Sequence, residues 1–127
     1  MKRAILGFLA GLVGWVVVAS LLDRILRAAI AGYALAEPQL HFTLGMMIAR
    51  LLLGAVASLA AGALVRWVAP NEIRVSLILG IVILLAFLPV HFKIWNALPV
   101  WYHLTFLISI VPCVVFGSRV ARARVTQ

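Results

Sequence analysis

Residues 51–65 read LLLGAVASLAAGALV, a run without a charged side chain in which eight of fifteen residues are Ala, Gly or Ser. A run this apolar is typical of a helix that does not face water. Its small residues Gly54, Ser58 and Gly62 recur every four positions and therefore lie along one stripe of a helix. Such stripes let membrane helices approach closely. The run predicts a transmembrane helix with a packing face.

The composition of the whole chain indicates the same environment. Of its 127 residues, 66% are hydrophobic and 11% are charged, and the mean hydropathy is +1.21. A soluble domain of this length needs more polar side chains to cover its surface. These values exclude a soluble enzyme, a disordered tail and a nucleic-acid-binding module, despite a net charge of +8. Since no paired catalytic residues occur either, we expect no enzymatic activity, no cofactor and no nucleic-acid partner.

Four apolar runs are long enough to cross a bilayer, for which about 20 residues are needed. They cover approximately residues 4–30, 42–66, 75–91 and 100–118. The sequence therefore predicts an all-α, integral membrane four-helix bundle with short loops, a single domain over residues 1–127. The first run also resembles a secretory signal, but it is longer than the usual apolar region of a signal peptide. We favour its retention as a span, with cleavage as the alternative.

The basic residues predict the orientation, because cytoplasmic loops carry an excess of Lys and Arg. With the N-terminus inside, seven basic residues lie on the cytoplasmic side and four on the other. Both termini are then cytoplasmic. The seven are Lys2, Arg3, Arg66, Arg74, Arg119, Arg122 and Arg124, and the four are Arg24, Arg27, Arg50 and Lys93.

Small residues predict how the first two spans pack. Burying apolar area gains little in lipid, so membrane helices associate through close contact and polar bonds. The first span also has two glycines four positions apart, and we expect the first two spans to nest as a tight hairpin. Trp15 lies deep in the first span and is expected to give its indole N–H to a neighbouring helix. The predicted packing residues are Gly7, Gly11, Gly54, Ser58 and Gly62.

Charged residues within the spans are the most informative ones, because a charge at mid-membrane costs about 2.5–3.5 kcal/mol on insertion scales. Asp23 and Arg50 lie at equal distances from the first turn, which places them at one depth on antiparallel neighbours. Arg27, four residues after Asp23, shares its helix face. The predicted intramembrane charge cluster is Asp23, Arg24, Arg27 and Arg50. It either locks the first hairpin, with Arg24 and Arg27 reaching towards lipid phosphates, or handles protons or anions. Glu37 is expected to be a solvated loop charge.

Residues 89–103 form the densest polar and aromatic stretch, and two prolines should make it a stiff loop at the outer face. This loop is either a lid over the charge cluster or an interfacial anchor. Three histidines, His41, His91 and His103, fall on this side, but no two have the spacing of ligands on one helix face, so we expect no bound metal. The loop residues singled out are His91, Lys93, Trp95, Trp101, Tyr102 and His103.

The overall pattern resembles that of small four-span bacterial inner-membrane proteins. Small multidrug exporters have a similar size, but they place an acidic residue deep in the first span, and residues 6–18 contain none. Fluoride channels are also similar in size, but their asparagine-bearing pore motif is missing. We expect a non-enzymatic accessory or structural subunit that contacts lipid and binds another transmembrane protein or copies of itself. The alternatives are a small oligomeric transporter or channel with a polar path around Asp23 and Arg50, and a metal- or quinone-handling redox protein.

Overall fold

The computed structural model describes residues 2–125, without the side chains of residues 73 and 122–125. Arg122 and Arg124, two of the seven residues assigned to the cytoplasmic side, have their side chains outside the described part. Five helices follow one another along the chain. They are α1 (Lys2–Ala29), α2 (Tyr33–Ala36), α3 (Leu44–Val68), α4 (Ile73–Lys93) and α5 (Val100–Val125).

Four of these helices are long and apolar enough to cross a membrane. The qualifying segments are Lys2–Ala29, Leu44–Val68, Arg74–Lys93 and Val100–Ala121. They pack as a bundle, which confirms the predicted all-α fold. Only the short helix α2 was not predicted from the sequence.

The predicted stiff loop over residues 89–103 is largely helical. Helix α4 continues through Pro89 to Lys93, and α5 begins at Val100, so the connection is limited to residues 94–99. A proline inside a membrane helix is tolerated where neighbouring groups satisfy the backbone that it frees. His91 and His103 are consequently held on helices that face each other.

Helix α3 lies at the centre of the bundle, between α1 and α5, and α4 packs mainly against α5. The core along α3 consists of small residues, with Ala57 and Ala61 fully buried. Larger side chains from the other helices fill the space around them, among them Trp15, Leu79, Phe106, Ile110 and Val114.

The two glycines of α1 pack close to α3 and its C-terminal end, and Gly11 also contacts Leu79 of α4. A Cβ atom added to Gly7 would lie 2.9 Å from Cβ of Ala69, and one added to Gly11 would lie 2.6 Å from a methyl group of Val65. Both positions therefore require the absence of a side chain. Ala61 and Val65 of α3 belong to the same contact. Helix α1 therefore packs on a second face of α3, which the sequence did not distinguish from the face of Gly54 and Gly62.

The stripe that contains Gly54 and Gly62 faces α5 instead. A Cβ atom on Gly54 would lie 2.8 Å from the ring of Phe106, and one on Gly62 would overlap the carbonyl group of Val114. On α5, a Cβ atom on Gly117 would overlap the carbonyl group of Leu59 in the same way. Helix α3 thus offers small residues on two faces and uses each for a different neighbour, α1 on one and α5 on the other.

Ser58 lies between the two faces and forms a polar bond within the apolar core. The indole N–H of Trp15 donates to Oγ of Ser58 at 3.0 Å, and Ser58 donates to the carbonyl oxygen of Gly54 at 2.8 Å. The expectation that Trp15 gives its N–H to a neighbouring helix is confirmed. An interhelical bond of this kind replaces hydration that lipid cannot supply.

Candidate functional site

A group of polar side chains gathers at the end of the bundle that contains the α1–α3 and α4–α5 connections. The backbone conformation of the α1–α3 connection helps to position these side chains. Gly32, with φ of 82°, adopts a left-handed conformation that glycine reaches without strain, and α2 starts directly after it. Thr43 then caps α3, its hydroxyl oxygen accepting from the backbone N–H of Met46 at 3.3 Å. These two features fold α2 back over α1 and α3.

Arg50 is the residue that joins the helices at this end. Its guanidinium donates to the hydroxyl of Tyr33 at 2.8 Å and to the hydroxyl of Tyr102 at 3.1 Å. It also lies 3.9 Å from the carboxylate of Asp23 and 3.6 Å from that of Glu37. Since these partners belong to α1, the α1–α3 connection and α5, one side chain of α3 connects all of these elements.

Asp23 is held from two sides. Its carboxylate lies 3.2 Å from Nε of Arg27, one turn further along α1, and accepts a bond from the hydroxyl of Tyr33 at 3.3 Å. Arg27 also pairs with Glu37. Two carboxylates and two guanidinium groups thus share the site, and their formal charges cancel. This balance offsets part of the cost of placing ions near the membrane.

Tyr33 and Glu37 lie outside the membrane-spanning helices, and their environment shifts their titration. Burial raises the pKa of Tyr33 to about 12, although the bond from Arg50 opposes this shift. Burial also acts to raise the pKa of Glu37, but the bond from Arg27 and the attraction of both guanidinium groups outweigh it and hold that pKa below its ordinary value. At neutral pH Tyr33 is therefore a neutral donor and Glu37 a carboxylate.

Glu37 was expected to be solvated, and this expectation is wrong. Its side chain is only 18% exposed and bonds to Arg27, because α2 folds the connection back onto the bundle. Arg24, predicted as part of the cluster, is exposed, and among the described residues it makes no ion pair or hydrogen bond. The sequence analysis missed Tyr33, which is completely buried. The one available signal was its position directly after a glycine in the turn.

A second polar pair adjoins the first group. The Nδ1 atoms of His91 and His103 lie 2.8 Å apart, and Nε2 of His103 lies 3.2 Å from the backbone carbonyl oxygen of Trp95. His91 is 4% exposed and His103 is completely buried. The ring of Tyr102 stacks on His91 at a centroid distance of 6.1 Å. Tyr102 therefore links the histidine pair to Arg50.

We call this combined set the polar layer. It contains side chains from every long helix and from the α1–α3 connection. The layer consists of Asp23, Arg27, Tyr33, Glu37, Arg50, His91, Tyr102 and His103.

The remaining residues of the predicted outer loop occupy the surface around this layer. Lys93 and Trp101 are exposed, and Trp95 stacks on His103 with ring centroids 4.7 Å apart. Of the predicted lid, Tyr102 is the residue that contacts the charge cluster. His41 is exposed, and within residues 2–125 no group of three or more His, Cys, Asp or Glu side chains is placed to hold a metal ion.

The opposite end of the bundle contains an apolar groove between α3 and α5. Its volume is about 680 Å³. Both small and bulky apolar residues line it. They include Ala60, Ala63, Leu64, Trp67, Phe116, Gly117 and Val120.

The helix lengths and the packing define a multi-pass membrane protein with four spans. Comparison with known proteins gives no match, whether with family models, with curated sequences or with solved structures. Function must therefore be inferred from the polar layer and the groove alone.

Proposed function

We propose that this protein is a non-enzymatic accessory subunit that binds a transmembrane helix of another membrane protein in the α3–α5 groove. The observation that carries this proposal is the groove itself. It is open and apolar, it lies within the spans, and its lining includes Ala60, Ala63 and Gly117. Small residues of this kind are the surfaces on which membrane helices associate.

The shape of the groove favours a different protein over a second copy. In a two-fold dimer, the same patch of each copy faces its partner, and two concave surfaces cannot fill each other. A groove that instead received another face of this chain would form a head-to-tail contact, which closes into a ring or continues as a filament. A helix with bulky side chains from another protein fills the groove without either consequence.

The polar layer supports the same role. Its carboxylates and guanidinium groups are paired with each other, which supports a role in stabilising the fold. A bundle joined in this way offers a rigid surface at its other end. The distribution of Lys and Arg supports an orientation with both termini cytoplasmic. The bacterial inner membrane is proposed from the resemblance of the sequence pattern to small four-span proteins of that membrane.

Photo-cross-linking in native membranes tests this proposal. A photoreactive amino acid in place of Ala63 lies in the groove. The same amino acid in place of Leu85, which is 57% exposed on α4, is the matched control. We expect the Ala63 probe alone to give an adduct whose peptides map to a transmembrane helix of a different protein. Filling the groove with Val120→Trp should remove that adduct. Adducts only with lipid or with a second copy would contradict the proposal.

A small transporter or channel is a second candidate, supported by the hydrogen-bonded path from Asp23 through Tyr33 and Arg50. Ionisable residues inside membrane spans commonly mark ion or proton pathways. Under this hypothesis, Asp23→Asn abolishes flux in proteoliposomes at an unchanged level of incorporated protein. Equal flux from the wild type and the variant would leave the accessory role as the conclusion.

A further inference from the structure

The histidine pair of the polar layer takes no part in the ion pairs and has a chemistry of its own. At 2.8 Å, the Nδ1 atoms of His91 and His103 are at hydrogen-bond distance. Exactly one proton can occupy the space between them. Without a proton, two lone pairs would face each other, and with two protons the N–H bonds would collide.

The backbone decides where the protons of the neutral pair lie. The carbonyl oxygen of Trp95 can only accept, so Nε2 of His103 carries a proton and donates to it. A neutral His103 then has a bare Nδ1, to which Nδ1–H of His91 donates. The remaining bare nitrogen is Nε2 of His91. The neutral pair thus contains one ring of each tautomer.

Added protons have different consequences. The first one binds Nε2 of His91, and the bond between the Nδ1 atoms persists with one positive charge on the pair. A second added proton makes both rings imidazolium ions, each with an N–H directed at the other. The Nδ1 contact cannot survive this state, because like charges and two donors then face each other.

The surroundings offer no anion that would stabilise such a charge. From α4, Phe87 packs against His91, and from α5, Tyr102 and Phe106 do the same. Trp95 of the connection stacks on His103. The charged group that acts on His91 from α3 is Arg50, which is also cationic, and Lys93 on α4 is exposed. Among the described residues, no carboxylate contacts either ring.

We propose that His91 and His103 form a pH-responsive latch between α4 and α5. The latch is closed while one proton is shared between the two Nδ1 atoms, and it opens when both rings are charged. Opening separates α4 from α5 at this end, while Nε2–H of His103 can still donate to the carbonyl of Trp95. It also moves Tyr102, which stacks on His91 and holds Arg50, so the charge cluster is affected by the same event.

The first test reads the tautomers directly. Nitrogen NMR of histidine-labelled protein in lipid nanodiscs at about pH 8 distinguishes protonation at Nδ1 from protonation at Nε2. His41→Gln removes the signals of the exposed histidine. We expect one Nδ1-protonated ring and one Nε2-protonated ring with coupling between their Nδ1 atoms. Two identical tautomers would overturn the proposal.

The second test measures the response to acid. His91→Gln keeps an amide donor towards His103 but cannot become charged, and His41→Gln is the matched control. Between about pH 8 and about pH 3, we expect the melting temperatures of the wild type and of the control to fall by about 4 °C more than that of His91→Gln. The range must extend to this low pH because burial, His103 and Arg50 all oppose a charge on His91. An equal loss in all three proteins would overturn the latch.

The wild-type spectra give an independent decision if His91→Gln does not fold. Acidification to about pH 3 should add the second proton to the pair and remove the coupling between the Nδ1 atoms. A pair that keeps its coupling in this range would contradict the proposal. This outcome is distinguishable from a failure of the accessory role, because the groove plays no part in it.

Discussion

At one end of the bundle, α1, α3, α5 and the α1–α3 connection meet through hydrogen bonds and ion pairs around Arg50. At the other end, α3 and α5 approach until Gly62 and Gly117 touch the opposite backbone. The polar end depends on directional bonds between groups that lipid cannot solvate. The apolar end depends on the absence of side chains. The polar end can respond to a change of pH, whereas the apolar end responds only to a change in side-chain size.

The largest effect is expected where the backbones touch. Gly62→Leu places a branched side chain on the carbonyl of Val114, and the helices must separate. Overpacking typically costs about 1–3 kcal/mol and occasionally more, and a contact with the opposite backbone belongs at the upper end of this range. Unfolding by SDS in mixed micelles, followed by tryptophan fluorescence, measures this loss.

Gly45→Ala is the control for that substitution, because no atom lies closer than 4.0 Å to the added Cβ. Alanine also favours a helix over glycine, so this variant should be as stable as the wild type or slightly more stable. Equal losses from both substitutions would show that the α3–α5 contact is not the close one described here.

Neutralising the centre of the polar end comes next. Arg50→Gln leaves Asp23 and Glu37 with one guanidinium between them, and it should destabilise the protein by about 1–3 kcal/mol, less than for a fully buried pair because the side chains are partly exposed. Adding Asp23→Asn restores the charge balance. The double variant should therefore be more stable than Arg50→Gln alone, as the same unfolding assay can show.

Arg24→Gln provides the comparison for the charge cluster, since Arg24 lies next to Asp23 in sequence but is exposed. Little change is expected from it. Additive effects of the Arg50 and Asp23 substitutions would mean that the two side chains do not interact.

A smaller effect is expected from removing the hydrogen bond between Trp15 and Ser58, which lies midway between the two ends. Trp15→Phe removes the donor to Ser58 and preserves most of the ring packing. Interhelical bonds in membranes contribute about 0.6 kcal/mol on average and up to about 1.7. Trp67→Phe, at a position that is 74% exposed, is the matched control. A loss no greater than that of the control would assign the role of Trp15 to packing alone.

The smallest effect concerns pH and Glu37. Its pKa lies below its ordinary value of 4.5, so ionised Glu37 stabilises the folded state above that pH, and this contribution is lost as the pH falls through the lowered value. Below about pH 4.5, Glu37→Gln should lose less stability than the wild type, by a difference of less than about 1 kcal/mol. Melting curves of Glu37→Gln and of Glu72→Gln, an exposed control, give the comparison; identical acid profiles would contradict it.

The two ends also differ in how far sequence reasoning could reach. The run of small residues in α3 was visible as a pattern, and the equal spacing of Asp23 and Arg50 from the turn placed them at one depth; the structure brings them to 3.9 Å. The roles of Tyr33 and Glu37 were not visible, because they depend on α2, a helix of four residues. The histidine pair was missed for a related reason. The prolines indicated a loop, and the opposition of His91 and His103 requires two helices.

Hydropathy and span length alone determined that this chain is an all-helical bundle of four membrane-length segments, because the bilayer sets a length and a polarity that few sequences satisfy. Which stripe of α3 contacts which neighbour, which carboxylates share Arg50, and which nitrogens of two histidines face each other were decided by the tertiary structure. These are contacts of a few ångströms between residues far apart in sequence, and they follow from helix rotation and turn geometry that local composition does not specify.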